Sequence, residues 1–132
     1  MLLRRYRKNW RRRPEKIDSS LFVAFWGDEK FVSALDVDGV EWMLVGKHTL
    51  KEIEAGDAGL TRIHRGTLVR IEAVQGLVTR NERVHGVRSR ARDHFCLIGG
   101  REFIVSRSCR PVVYSRYVTY VGQQELPSAV AA

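Results

Sequence analysis

The sequence predicts a mainly β fold: a small β-barrel or sandwich of short antiparallel strands, with a basic N-terminal arm or helix and one short internal helix. Three observations predict it. Gly99-Gly100 separates two apolar-leaning runs in His94–Ser106 (HFCLIGGREFIVS), and a two-residue Gly-Gly loop supplies the positive φ angles that tight hairpin turns need. Asp38-Gly39 plays the same part between Phe31–Val37 and Val40–Val45. The other apolar runs are short, closely spaced and bounded by glycines.

The elements follow in order. Residues 1–17 make a basic arm. Its opening, MLLRRYRKNWRRR, reads as a helix as far as Arg13, because Pro14 stops a helix and restricts the residue before it. Leu3, Tyr6 and Trp10 recur at i, i+3 and i+7, an apolar and aromatic stripe on an arginine-covered surface. A helix this short is marginal alone, and ordering each residue costs roughly 1–2 kcal/mol, so the arm is expected to order only when Tyr6 and Trp10 dock.

Residues 18–122 make the β-barrel domain. Ile17–Ser20 links the arm to a buried strand, Leu21–Trp26, and Gly27-Asp28 turns the chain towards the Asp38-Gly39 hairpin. Thr49 and Glu52 have capping-box spacing and start a helix over Leu50–Ala55, which Gly56 ends. Asp57–Arg65 is a loop, Thr67–Val74 a strand and Leu77–Thr79 another. Residues 80–92 (RNERVHGVRSRAR) read as a long exposed loop or β-extension. The Gly-Gly turn pairs Phe95 with Ile104, Cys96 with Phe103 and Leu97 with Glu102, and apolar residues on both faces suit a ribbon buried on both sides. A last strand lies around Tyr117–Val121, and residues 123–132 are a tail.

A chain of 132 residues fits one such domain, burying ~65–70% of its unfolded surface. The longest apolar run, Leu21–Trp26, falls far short of the ~20 residues that span a bilayer, so no membrane partner is expected. No apolar segment with a small-residue cleavage site follows the basic opening, which argues against a secretory signal. Cys96 and Cys109 make no disulfide framework and read as free thiols in a reducing compartment. The net charge of +8 is uneven: +7 over residues 1–16, −4 over 17–79, +4 over 80–92 and +1 over 93–132. Two basic loci on a mildly acidic body point to a polyanion, or an acidic protein surface, gripped at two places.

The candidate contact residues are therefore Arg4, Arg5, Tyr6, Arg7, Lys8, Trp10, Arg11, Arg12 and Arg13 in the arm. Arg80, Arg83, Arg88, Arg90 and Arg92, with His85, make the second locus. Arginines neutralise phosphates and aromatic faces stack on unpaired bases. The same interleaving fits an acidic groove on a protein, an anionic membrane surface or a solvated tail. No RNA-recognition, helix-turn-helix or zinc-finger spacing singles out nucleic acid.

Metal and catalytic chemistry find little footing. His94-x-Cys96 is one ligand pair where structural zinc takes two, and Cys109, His64 or His85 complete no spacing pattern. Asp36, Asp38 and Glu41 sit on a turn that carboxylates favour. His48 beside Thr49 mimics a base–hydroxyl pair, but capping accounts for Thr49. No phosphate loop, nucleophile elbow or HExxH is present, and neither catalysis nor a cofactor is expected.

From Val84 onward the chain reads VHGVRSRARDHFCLIGGREFIVSRSCRPVVYSRYVTYVGQQE. A basic strand (Arg88–Arg92), Asp93, an apolar strand (Phe95–Ile98), the Gly99-Gly100 turn, an aromatic-plus-valine strand (Phe103–Val105) and a closing strand (Tyr117–Val121) follow one another. This third of the chain resembles the small head–tail connector proteins of tailed bacteriophages, the head-closure and adaptor group. The resemblance implies a non-enzymatic virion component: a β-barrel assembled as a homo-oligomeric neck ring. Its arm and strand edges would dock on portal or tail proteins, and the arginine loop would face DNA or an acidic subunit. It would reside in the virion, and in host cytoplasm during assembly. One alternative is a nucleic-acid-binding small β-barrel, a ribonucleoprotein component or regulator, cytoplasmic if the protein is not viral. Another is an inhibitor or adaptor module that captures an acidic target.

Overall fold

A computed structural model describes residues 1–7, 15–27, 31–45, 48–84 and 87–131, with backbone alone at 6–7, 81–84, 87–91 and 125–131. The chain divides into two compact units, Met1–Arg70 and Ile71–Ala132.

The first unit is one seven-stranded antiparallel sheet. Its strands are β1 (Leu2–Arg7), β2 (Glu15–Asp18), β3 (Phe22–Gly27), β4 (Val32–Asp36), β5 (Glu41–Val45), β6 (Leu60–His64) and β7 (Thr67–Arg70). A short helix, α1 (Leu50–Gly56), precedes β6. The order across the sheet is β2-β1-β5-β4-β3-β7-β6. Leu3, Phe22, Phe25, Leu44 and Leu68 from the strands and Ile53 from α1 share one buried cluster. Two local signals work as the sequence implies. Thr49 caps α1 by accepting from the Glu52 amide at 3.2 Å. Gly39 takes φ +82° in the β4–β5 turn, where the buried Asp36 carboxylate accepts from the amides of Asp38 and Val40 and from the Trp42 indole at 2.7 Å.

The start of the chain is a strand, not a helical arm. β1 pairs with β2 on one side and β5 on the other, and Leu3 is buried in the core. Side chains alternate: Leu3 and Arg5 point inward, Leu2 and Arg4 outward. Arg5 conceals that alternation in the sequence because it is polar yet enclosed. It lies 3.6 Å over the Trp42 ring and ion-pairs with Glu15 at 2.9 Å. The expected linker Ile17–Ser20 is likewise structured, as the end of β2 and a 3-10 turn (Ser19–Leu21) capped by Asp18. The expected loop Asp57–Arg65 contains β6.

Arg70 ties this unit together. It donates to the carbonyls of Phe22 and Ser19, both at 3.0 Å, and to the Asp57 carboxylate at 2.8 Å. Ser19 Oγ adds a donor to Asp57 at 2.7 Å. The Arg70 guanidinium, then the Ser19 hydroxyl, hold the Asp57 carboxyl at a pKa of about 2, below its ordinary 3.8.

The second unit opens with a 3-10 turn (Ile71–Ala73) and continues as a three-stranded antiparallel sheet. Its strands are β8 (Gly76–Val84), β9 (Val87–Ile98) and β10 (Arg101–Val105), in the order β10-β9-β8. The Gly-Gly hairpin has the expected register, and Gly99 and Gly100 take φ +56° and +79°. It is buried on one face only: Cys96, Ile98 and Val105 are enclosed, whereas Ile104 is 43% exposed. The chain ends in a long helix, α2 (Arg110–Ala131), where a strand around Tyr117–Val121 and a tail were expected. Its valines and tyrosines favour strands locally. Yet Val113 is fully buried, and Tyr117, Tyr120 and Val121 follow it at helical spacing, half-buried, so tertiary packing overrides propensity.

The fold is thus mainly β, as expected: among the described residues it comprises two antiparallel sheets and two helices, with no closed barrel. Each sheet is open, with β2 and β6 at the edges of one and β8 and β10 at the edges of the other. No helix among the described residues is long and apolar enough to cross a membrane.

Two outcomes follow from the first unit. Leu3→Ala should destabilise it by about 3 kcal/mol in denaturant titrations, while Leu2→Ala should change stability by less than ~0.5 kcal/mol. Because the Asp57 pKa falls on folding, its contribution is complete above the unfolded value of 3.8 and fades as pH drops towards about 2. Acid titrations of Asp57→Asn should lack that component of the wild-type loss.

Candidate nucleic-acid interface

The second basic locus is a β-ribbon. β10 pairs with β9 only from Ile98 back to His94. Pairing of β8 with β9 continues beyond it, through Arg80–Asp93 and Asn81–Arg92, past an irregularity between Asn81 and Arg83, to Arg83–Arg88 and Val84–Val87. Among the described residues, 80–84 and 87–93 therefore run on as a two-stranded ribbon, a reach of roughly 20 Å along β9. Arg80 and Arg83 lie on β8, and Arg88, Arg90 and Arg92 hold alternate positions of β9. Glu82 and Asp93 are the acids of this stretch. Arg83 and Arg88 occupy one cross-strand pair, and like charges set opposite each other destabilise a ladder.

The ribbon's root is tied to α2. Arg110, the first residue of that helix, donates through Nη2 to the Arg92 carbonyl at 3.1 Å. Tyr114, one turn later, shares a 2.6 Å hydrogen bond with His94 Nδ1, and the two rings meet edge to face with centroids 5.6 Å apart. Burial, then the charges of Arg110 and Arg92, lower the His94 pKa below its ordinary 6.5, while Asp93 opposes them. His94 is thus a neutral partner for Tyr114. Cys96, two residues on, is buried, and its thiol is pushed up to about 11. At neutral pH that thiol stays protonated and unreactive.

On β8, Arg80 leans towards the Phe95 ring, 6.0 Å from its centroid, and ion-pairs with Glu102 of β10. Arg92 is exposed.

The N-terminal residues divide differently. Arg4 is exposed on β1 beside exposed Lys16 of β2. Arg5 is committed to Glu15, Asp36 and Trp42 and serves the fold. Tyr6 and Arg7 continue β1. Lys8, Trp10, Arg11, Arg12 and Arg13 lie outside the described residues, as does His85.

No protein-family model matches this chain, and no curated protein matches its sequence. A solved structure is similar in fold: the LytTr DNA-binding domain of a putative methyl-accepting/DNA response regulator from Bacillus cereus, at a TM-score of 0.61 and 12% identity, covering 89% of this chain and 95% of that one. The two share a fold.

That likeness overturns the connector resemblance. Its closing strand, Tyr117–Val121, is helix, and its barrel is two open sheets. The virion role, the neck ring, the portal and tail partners and the virion location lose their support with it. What sequence reasoning missed is the root. Glu102, Arg110 and Tyr114 are brought to the ribbon by β10 and α2, and no short-range signal marks them. The hairpin register alone could have placed Glu102 on the Phe95 side.

The tie to α2 is testable. An NMR titration should place the His94 midpoint below 6.5, and Arg110→Ala should raise it by removing both a nearby cation and cover. Since His94 is harder to protonate when folded, stability is complete above about 6.5 and declines as pH falls through that value.

Proposed function

We propose that this chain is a non-enzymatic DNA-binding domain whose β8–β9 ribbon makes the principal contact. The observation that carries the reading is the ribbon itself: five arginines on two strands that run on alone past β10. A two-stranded ribbon fits the ~12 Å width of the major groove of B-DNA. Arginine there can neutralise phosphates or pair two-fold with guanine, and a rigid strand holds it better than a loop. The fold is shared with a domain described as DNA-binding, which supports the same reading. Arg4 and Lys16 offer a further exposed cationic pair on the first unit.

The mechanism is recognition, with no bond made or broken. Ribbon arginines displace counterions from the duplex, giving an affinity that falls steeply with salt. The tie from Arg92 and His94 to α2 fixes the ribbon at its root, which lowers the ordering cost of binding.

Fluorescence anisotropy with a mixed-sequence duplex tests this. The wild type should bind with a log–log salt slope of several units. Arg88→Ala with Arg90→Ala should lower that slope by about 1.8, at ~0.9 per phosphate contact, and weaken all duplexes alike if both arginines meet phosphates. Binding that ignores salt, or an unaltered slope in the double variant, contradicts the reading.

A further inference from the structure

Arg80 is the ribbon arginine nearest its root, and it is held by an acid. The register sets Phe95 opposite Val78 on one side and Ile104 on the other. Arg80, two residues from Val78, and Glu102, two residues from Ile104, therefore share the Phe95 face of the sheet. Their side chains meet across β9. Arg80 Nη1 donates to Glu102 Oε2 at 2.7 Å, Nη2 bonds Oε1, and the guanidinium lies 6.0 Å from the Phe95 centroid. Two parallel bonds to one carboxylate are the strong form of an arginine–acid pair. The pair is still open to solvent, with 57% of the Arg80 side chain and 31% of Glu102 exposed. A phosphate that reaches Arg80 must either displace Glu102 or share a guanidinium whose charge the carboxylate already offsets.

We propose that Glu102 is a specificity-determining residue of the DNA interface, an intramolecular competitor that withholds Arg80 from the phosphate backbone. The inference rests on the DNA-binding reading above. Affinity for arbitrary duplex follows the number of phosphates neutralised, whereas discrimination follows contacts to base edges. An acid at the root removes one cation from the first term and leaves the second to the outer ribbon. Glu102 is thereby a brake on non-specific binding.

The test measures anisotropy of a labelled mixed-sequence duplex over a salt series, with the full chain. Glu102→Gln keeps size and hydrogen bonding but drops the charge. It should bind about fivefold more tightly at low salt and steepen the salt slope by about 0.9, the signature of one more phosphate contact. Arg80→Ala should abolish that gain: the double variant should bind like Arg80→Ala alone. Glu72→Gln removes another exposed acid, one with no part in the pair, and should leave the slope unchanged. A gain of affinity is not what structural damage produces. Unaltered or weaker binding by Glu102→Gln, or an equal gain in the Arg80→Ala background, overturns the inference while wild-type binding still upholds the DNA reading. A wild type that fails to bind the duplex overturns both.

Discussion

A three-stranded sheet that continues as two strands must stabilise the point where the third one stops. Here the Arg110 guanidinium meets the Arg92 carbonyl just beyond the last β10 pair, and Tyr114 holds His94 one step inward. Those two contacts come from successive turns of α2, so the helix acts as a splint for β9. Without it, a ribbon crowded with like charge would fray, because isolated two-stranded ladders are marginal in water. The splint itself carries charge: Arg110 adds a cation at the ribbon's foot, and its presence favours a neutral His94.

In the first unit, paired charge supports the fold. Arg5, Arg62 and Arg70 each face a carboxylate, Glu15 at 2.9 Å, Glu54 at 3.0 Å and Asp57 at 2.8 Å. Arg70 spends its donors on the Ser19 turn, β3 and Asp57 together, which is why a largely buried arginine is tolerable there. The ribbon differs in its balance of charge. Its five arginines outnumber its two acids, and Arg80 finds its partner outside it, in Glu102 of β10.

What the sequence disclosed was what nearest neighbours decide. A two-residue glycine turn fixes the pairing of Phe95 with Ile104, and a threonine three residues before a glutamate starts a helix. The basic run at 80–92 was visible as charge, and as a β-extension in outline. The start of the chain was not legible because Arg5, an inward-facing cation, breaks the apolar alternation of β1. Its justification, Trp42 and Asp36, lies on other strands. The arginines and the Leu3–Tyr6–Trp10 spacing mimicked an amphipathic helix. At the other end, valine and tyrosine favour strands until a buried Val113 commits them to α2. Glu102 and Tyr114 stayed hidden for a related reason: they reach the site through a hairpin and a helix packing, neither of which a local pattern encodes.

The central claim is that the β8–β9 ribbon, and not another surface, meets nucleic acid. Titrating the isotopically labelled chain with duplex DNA and following every backbone amide by NMR tests it directly. The account predicts shifts concentrated between residues 80 and 93, with smaller ones at the α2 residues that brace β9. Shifts that cluster elsewhere and leave 80–93 unmoved would contradict it.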